Sequence, residues 1–250
     1  MLNLLLFIAV FISAVHSAVA SMTISGTRIV FPASEKEVNV RTINKGSLPA
    51  LVQVWVDEGQ TSADLNSVKI PFIVTPPVYR VEPGKGQSVR MIYNGMTLPQ
   101  DRESVFWFNL LEIPPKSKNT GSEQKLELAF RTRIKIFYRP VTLEKSNSEL
   151  EKNKLQWDVV NDTQRGTGVK LTNMTPYYFS FDSASIVSHG RKLTLSVDMV
   201  APNSSRVFFP ENKLSGGEKI SEMEYRLLND YGAPVSTKIK WEGTQSRIMD

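Results

Sequence analysis

The side chains that most often carry enzymatic chemistry are scarce: the 250-residue chain has no cysteine and two histidines, His16 and His189. His16 falls in an apolar leader, and His189 lies in a Ser-His-Gly-Arg turn, where a surface loop residue is the ordinary reading. Ser/His/Asp and Cys/His systems and multi-histidine zinc sites therefore lose most of their parts at once. No Walker-type Gly-Lys-Ser/Thr string offers a nucleotide site, so no cofactor, no metal and no catalytic residue is expected. What does recur is positive charge, at Arg131, Arg133, Lys135 and Arg139, a concentration able to hold an anion. Just upstream, Leu126, Leu128 and Phe130 recur at every second position. That spacing suits binding, not turnover.

Both sets belong to one stretch, Leu126 to Pro140, the longest strand-like run in the chain. Residues two apart share a strand face, so Leu126, Leu128 and Phe130 continue into Thr132, Ile134, Ile136 and Tyr138, while the cations occupy the other face. A half-buried strand with a solvated charged face explains most of this pattern. The large apolar groups next to the polar loop 116–125 remain odd, because strands usually fray there. Lys135 has the opposite parity from Leu126, Leu128 and Phe130. It lines the same surface only if the strand twists or bulges between them.

The rest of the chain must hold that strand. Residues 1–20 carry no acidic or basic side chain, are too short for a comfortable span, and end with Ala18 and Ala20 in the A-x-A arrangement. This reads as a secretory signal cleaved after Ala20, with an n-region that lacks the usual Lys or Arg. The mature chain is then exported and not inserted in the membrane. Thirty basic residues stand against 25 acidic ones, interspersed without a basic block, so no nucleic acid partner is expected.

Beyond the leader, short apolar runs alternate with turn chemistry. They read as strands at Ser25–Phe31, Glu37–Asn44, Leu51–Asp57, Val68–Thr75, Tyr79–Val81, Ser88–Tyr93 and Ser104–Ile113. After Pro140 the pattern restarts, with a helical turn near Leu150–Leu155. Further strands follow at Leu155–Val160, Val169–Asn173, Tyr177–Val187, Lys192–Val200, Ser205–Phe209, Ile220–Leu227 and Val235–Trp241. Seven or so strands on each side predict an all-β protein of two antiparallel sandwiches hinged near Arg139–Leu143.

Several strings, in this order, carry a family resemblance: Thr27-Arg28-Ile29-Val30-Phe31, Thr75-Pro76-Pro77-Val78, Leu98 to Asn109, Glu112-Ile113-Pro114-Pro115 and Ile134 to Pro140. In the second half they are joined by Asn173 to Tyr178 and Asn229 to Pro234. Together they resemble the PapD-like periplasmic pilus (fimbrial) chaperone family along essentially the whole mature chain. The resemblance implies two immunoglobulin-like β-sandwich domains in an L or boomerang arrangement. An N-terminal domain would span 21–140 and a C-terminal domain 141–250, after the signal peptide at 1–20. It implies a non-enzymatic chaperone of the periplasm that folds and caps pilus subunits by donor-strand complementation and delivers them to an outer-membrane usher. Leu126, Leu128 and Phe130 would be the donor residues. Arg28 and Lys135 would anchor the subunit's C-terminal carboxylate. Glu103, Arg139 and Asp230 would form an interdomain salt bridge, and a cis peptide bond would precede Pro76 or Pro77. The loop 116–125 lacks the cysteine pair of long-loop relatives, which puts the chain nearer the short-loop class that serves rod-like pili. An exposed apolar edge also invites a weak self-dimer. The rival expectation is an Ig-like structural or adhesive component of a pilus or cell surface.

Overall fold

The computed structural model describes residues 21–59, 70–115, 128–242 and 245–249. The leader 1–20, the loop at 116–125, and Leu126 of the donor set lie outside the described residues.

Among the described residues, apolar strand-forming runs build nine strands before residue 140. They are β1 (Met22–Ile24), β2 (Arg28–Pro32), β3 (Glu37–Asn44), β4 (Ala50–Asp57), β5 (Phe72–Thr75), β6 (Val78–Val81), β7 (Gly86–Tyr93), β8 (Ser104–Ile113) and β9 (Phe130–Arg139). A four-stranded sheet, β1-β3-β7-β5, faces a five-stranded one, β2-β9-β8-β4-β6. Every second residue of β4 (Ala50, Val52, Val54, Val56) turns inward, as does the even set Ile134, Ile136 and Tyr138 of β9. Phe31, Val89, Met91 and Phe108 close the core between the sheets without solvent contact.

Two expectations change here. Ser25–Phe31 is not one strand: Gly26 takes φ +92°, which a residue with a Cβ rarely adopts, and the chain crosses from one sheet to the other. β1 then pairs with β3, and β2 with β9. That second pairing is parallel, Arg28 opposite Lys135 through Pro32 opposite Arg139, in an otherwise antiparallel domain. The long strand is also shorter than its sequence pattern, because its ladder to β8 begins at Phe130 opposite Glu112 and leaves Leu128 and Ala129 outside it. The peptide bond before Pro76 is cis.

Past Pro140 the expected helical turn lies slightly earlier, as α1 (Ser148–Glu151), where the Asn147 side chain accepts from the Leu150 N–H at 3.0 Å. A 3-10 turn over Lys152–Lys154 follows. Eight strands come next: β10 (Gln156–Asp162), β11 (Gly166–Asn173), β12 (Phe181–Ser188), β13 (Arg191–Thr194), β14 (Ser204–Phe208), β15 (Glu222–Leu228), β16 (Pro234–Glu242) and β17 (Gln245–Met249). They form sheets β10-β11-β14 and β13-β12-β15-β16-β17 around Trp157, Phe179, Phe208, Met223 and Tyr225. β17 was absent from the sequence reading. β12 starts at Phe181 and not at Tyr177, because Asn173 first folds the chain into a turn, its Oδ1 accepting from the Thr175 N–H and hydroxyl at 2.9 and 2.8 Å. His189 (φ 48°) and Gly190 (φ 74°) make the exposed turn between β12 and β13. No helix among the described residues is long and apolar enough to cross a membrane.

Candidate functional site

The site grows out of the two edges of β9. On one side β8 pairs with it from Phe130 to Tyr138. On the other side β2 covers only Lys135 to Arg139. The backbone of residues 130–134 therefore faces outward on that side without a strand partner among the described residues. An uncovered strand edge is a template for another strand. The side chains flanking it are apolar and unsheltered, with Leu128 52% exposed and Phe130 61% exposed. Burying each would contribute about 1.5–3 kcal/mol, which this chain forgoes on its own.

The uncovered edge stops where β2 begins, and the Arg28–Lys135 pair sits at that boundary. The register of β9 runs without a shift, so no bulge brings Lys135 onto the face of Phe130. Lys135 and Arg28 instead look toward the second domain. Lys135 Nζ donates to the Ser180 hydroxyl at 3.4 Å and lies 5.5 Å from the centre of the Trp107 ring. Arg28 Nη1 donates to the Leu228 carbonyl at 3.0 Å, its guanidinium lies 5.7 Å from the centre of the Phe137 ring, and its Nε is buried without a partner. Neither cation has a carboxylate within ion-pair distance among the described residues, although every other cation of the long strand does. Burial lowers the Arg28 pKa, and it lowers that of Lys135 too, helped by the charge of Arg28 and opposed by Asp198.

A lysine held this way costs stability while it is charged. Its folded pKa lies below the unfolded one near 10.4, so the unfolded chain binds more protons and stability rises as pH climbs through that interval. Lys135→Met should accordingly raise the melting temperature of the free protein slightly, by under about 1 kcal/mol in stability. Thermal unfolding at neutral pH checks this. A lower melting temperature would mean that Lys135 is a structural cation and not a held charge.

The four recurring cations are thus not one anion site. Arg131 and Arg133 both reach Asp57 at the end of β4, through Nη2 contacts of 3.1 and 2.5 Å. Asp57 also accepts from Asn109 Nδ2 at 2.9 Å and from the Gly59 N–H at 2.8 Å. Arg131 stacks 5.0 Å over Trp55 and Arg133 stacks 4.4 Å over Trp107. Gly59 has φ +97°, and a Cβ there would stand 2.6 Å from Trp107 Nε1, so this close approach requires glycine. None of Asp57, Asn109, Trp55 and Trp107 is given a site role by the sequence, although Trp107 and Asn109 fall in one of the strings that carry the resemblance. The available signal was the shared outward parity of Trp55 and Asp57 on one strand and Trp107 and Asn109 on another, each tryptophan two residues from a polar partner.

Arg139 serves the domain junction. Its Nε donates to Glu103 at 2.9 Å, and its two Nη groups donate to the carboxylate of Asp230 at 2.8 and 2.9 Å. Glu103 accepts as well from the Tyr178 N–H at 2.9 Å, and its own N–H donates to the Pro176 carbonyl at 2.9 Å. Burial pushes the Glu103 carboxyl above the usual range, against the pull of Arg139. Burial also works against the Arg139 charge but is outweighed by Asp230 and Glu103, which raise its pKa. The triad brings β8, β9 and the turn after β15 to one point.

The sequence matches two family profiles, "Pili and flagellar-assembly chaperone, PapD N-terminal domain" over residues 21–144 and "Pili assembly chaperone PapD, C-terminal domain" over residues 146–239. It is 41% identical over 222 residues to the "Probable fimbrial chaperone YadV" of Escherichia coli K12, covering 88% of this chain and 89% of that one. It is 40% identical over 237 residues to "Chaperone protein HifB" of Haemophilus influenzae, covering 92% and 93%. Among solved structures, the crystal structure of the YadV chaperone superimposes with a TM-score of 0.75 at 38% identity, covering 89% of this chain and 100% of that one.

Proposed function

From the premise that the chain belongs to the PapD-like pilus assembly chaperones, we propose that it captures a pilus subunit along the free edge of β9 and passes it to an outer-membrane usher. The observation that carries this reading is the edge at residues 130–134, bounded by exposed Leu128 and Phe130 at one end and by unpaired Arg28 and Lys135 at the other. β-Strand addition of this kind is a recognised binding mode, of which chaperone–pilin pairing is itself a standard instance. The incoming strand contributes main-chain hydrogen bonds, and the exposed side chains fill the gap in an incomplete partner sandwich.

The direction of the incoming strand follows from the position of the anchor. β9 runs from Phe130 toward Lys135, so a partner whose carboxylate ends at Arg28 and Lys135 must run parallel to it. It then lies end to end with β2, which is already parallel to β9. Each charge-assisted hydrogen bond from Arg28 or Lys135 to the carboxylate contributes about 1.5–3 kcal/mol. Leu126 would extend the apolar set beyond the described residues. The protein acts by binding and not by turnover, in the periplasm, with the energy for release supplied by subunit folding and strand exchange. In the absence of a subunit, the same edge supports a weak self-dimer.

Co-purification from periplasm tests the reading, with wild type and Lys135→Ala compared by mass spectrometry of what elutes. Stoichiometric subunit-like partners with wild type, lost from the folded variant, are expected. Partners that persist in Lys135→Ala would overturn the anchor assignment. If neither protein retains anything while candidate subunits are expressed, the chaperone reading gives way to the adhesive one.

A further inference from the structure

We propose that Asp57 sets the register at which a subunit's last strand docks on β9, by withdrawing Arg131 and Arg133 from competition for its carboxylate. The inference rests on the donor-strand reading above and adds a positioning residue to it.

Register is a real problem for such a site. Strand side chains alternate with a period of two, so a one-residue slip would put every inserted side chain on the wrong face and is strongly disfavoured. A two-residue slip keeps all of them on the correct face. Side-chain parity alone therefore cannot forbid it. The cost must come from the carboxylate, which moves about 6.6 Å along the strand in such a slip.

The cations of β9 repeat at that same two-residue interval. Arg131, Arg133 and Lys135 share one face of a strand that runs without a bulge. A carboxylate displaced by two residues would leave Lys135 and arrive at Arg133; a second such step would bring it to Arg131. Three equivalent cations would give three registers, two of them covering less of the donor edge.

Asp57 removes the equivalence. It lies at the end of β4, two strands away from β9 in the sheet, and its side chain is 10% exposed. Its Oδ1 accepts from Arg133 Nη2 and its Oδ2 from Arg131 Nη2. Arg131 also donates to Asn109 Oδ1, at 3.0 Å from Nε and 2.7 Å from Nη2. Each guanidinium is also held flat, on Trp55 and on Trp107 respectively. The Nη2 group of each fork that would grip a displaced carboxylate is thus engaged, Arg133 Nε is buried without a partner, and one of the two positive charges is cancelled. Lys135, whose hydrogen bond goes to the Ser180 hydroxyl, has no carboxylate partner among the described residues, and neither has the neighbouring Arg28, which bonds the Leu228 carbonyl.

The absence of cysteine from the chain gives a direct readout. Thr132 is exposed on the free edge, and Thr132→Cys provides one thiol there. The probe is a short synthetic peptide of alternating valine and serine with a free C-terminal carboxylate and one cysteine walked along its length. Disulfide trapping then maps which peptide position lies opposite residue 132. The parent should trap at one position. The Asp57→Asn variant should trap at two, the second displaced by two residues, and adding Arg131→Gln and Arg133→Gln should restore one. A single unshifted position in folded Asp57→Asn protein would overturn the proposal. Should that variant fail to fold, Lys135→Gln with Asp57 intact decides the matter. Its trapping yield should fall severalfold without a new position, and a displaced position there would overturn the proposal. A parent that traps nowhere would remove the donor-strand reading, and the register device with it.

Discussion

Arg139→Ala is expected to cost about 3–5 kcal/mol of stability, because it strands a buried carboxylate and does not merely delete an ion pair. Glu103 is 3% exposed, and without Arg139 its only remaining donor among the described residues is the Tyr178 N–H. Asp230 loses both of its hydrogen bonds to the arginine. The Glu103 pKa, already raised by burial, should then rise further. A carboxyl whose folded pKa exceeds its unfolded value near 4.3 takes up a proton more readily when folded. Stability is therefore lost as pH climbs through the folded pKa and regained as pH falls. The deficit of the variant should be large at neutral pH and shrink in mild acid, and Arg139→Ala with Glu103→Gln should recover part of it. Urea unfolding across a pH series measures this. A deficit independent of pH would mean that Glu103 does not remain buried once its partner is gone.

Gly166→Ala should be about as severe, through a different cause. Gly166 opens β11 with φ +82°, and a Cβ there would stand 1.8 Å from the Leu214 carbonyl oxygen. The obstacle is backbone, beside a Leu214 side chain that is 2% exposed, so neither side yields cheaply. Left-handed strain and overpacking together amount to about 2–6 kcal/mol. The two hydrophobic cores share no residue, so the damage should concentrate in the second one. Hydrogen exchange should show amide protection falling in β10 and β11 while β4, β8 and β9 retain theirs. Uniform loss across both halves would mean that the junction couples the domains into one cooperative unit.

Local pattern exposed much of the architecture. Glu37–Asn44 and Ser104–Ile113 were legible to the residue, because apolar, strand-forming runs end at turn-forming neighbours on both sides. The first strand was not, since nothing in Ser25-Gly26-Thr27 distinguishes a turn within one sheet from a crossing between two. The Arg139 junction was legible only through family resemblance: its partners lie 36 and 91 positions away in the chain. For the same reason the fates of Arg131 and Arg133 were hidden. Asp57 is 74 and 76 positions from them, and only the β4-β8-β9 sheet order brings it within reach. A periodic row of cations tells which face they share but not which of them is already spoken for.

The end-to-end placement of β2 gives the proposed capture a place in time. Because β2 occupies the edge of β9 from Lys135 onward, a strand docking ahead of it meets a wall. A chain that continued past the anchor would have to turn sharply away, whereas a chain that stops there fits. Polypeptides are made from the amino end, and the carboxyl end is the last part synthesised. A site that accepts only a terminus is therefore silent while a subunit is still arriving and engages when the last residue has come through. On this reading β2 acts as a completion check, postponing custody of the subunit until all of it is present.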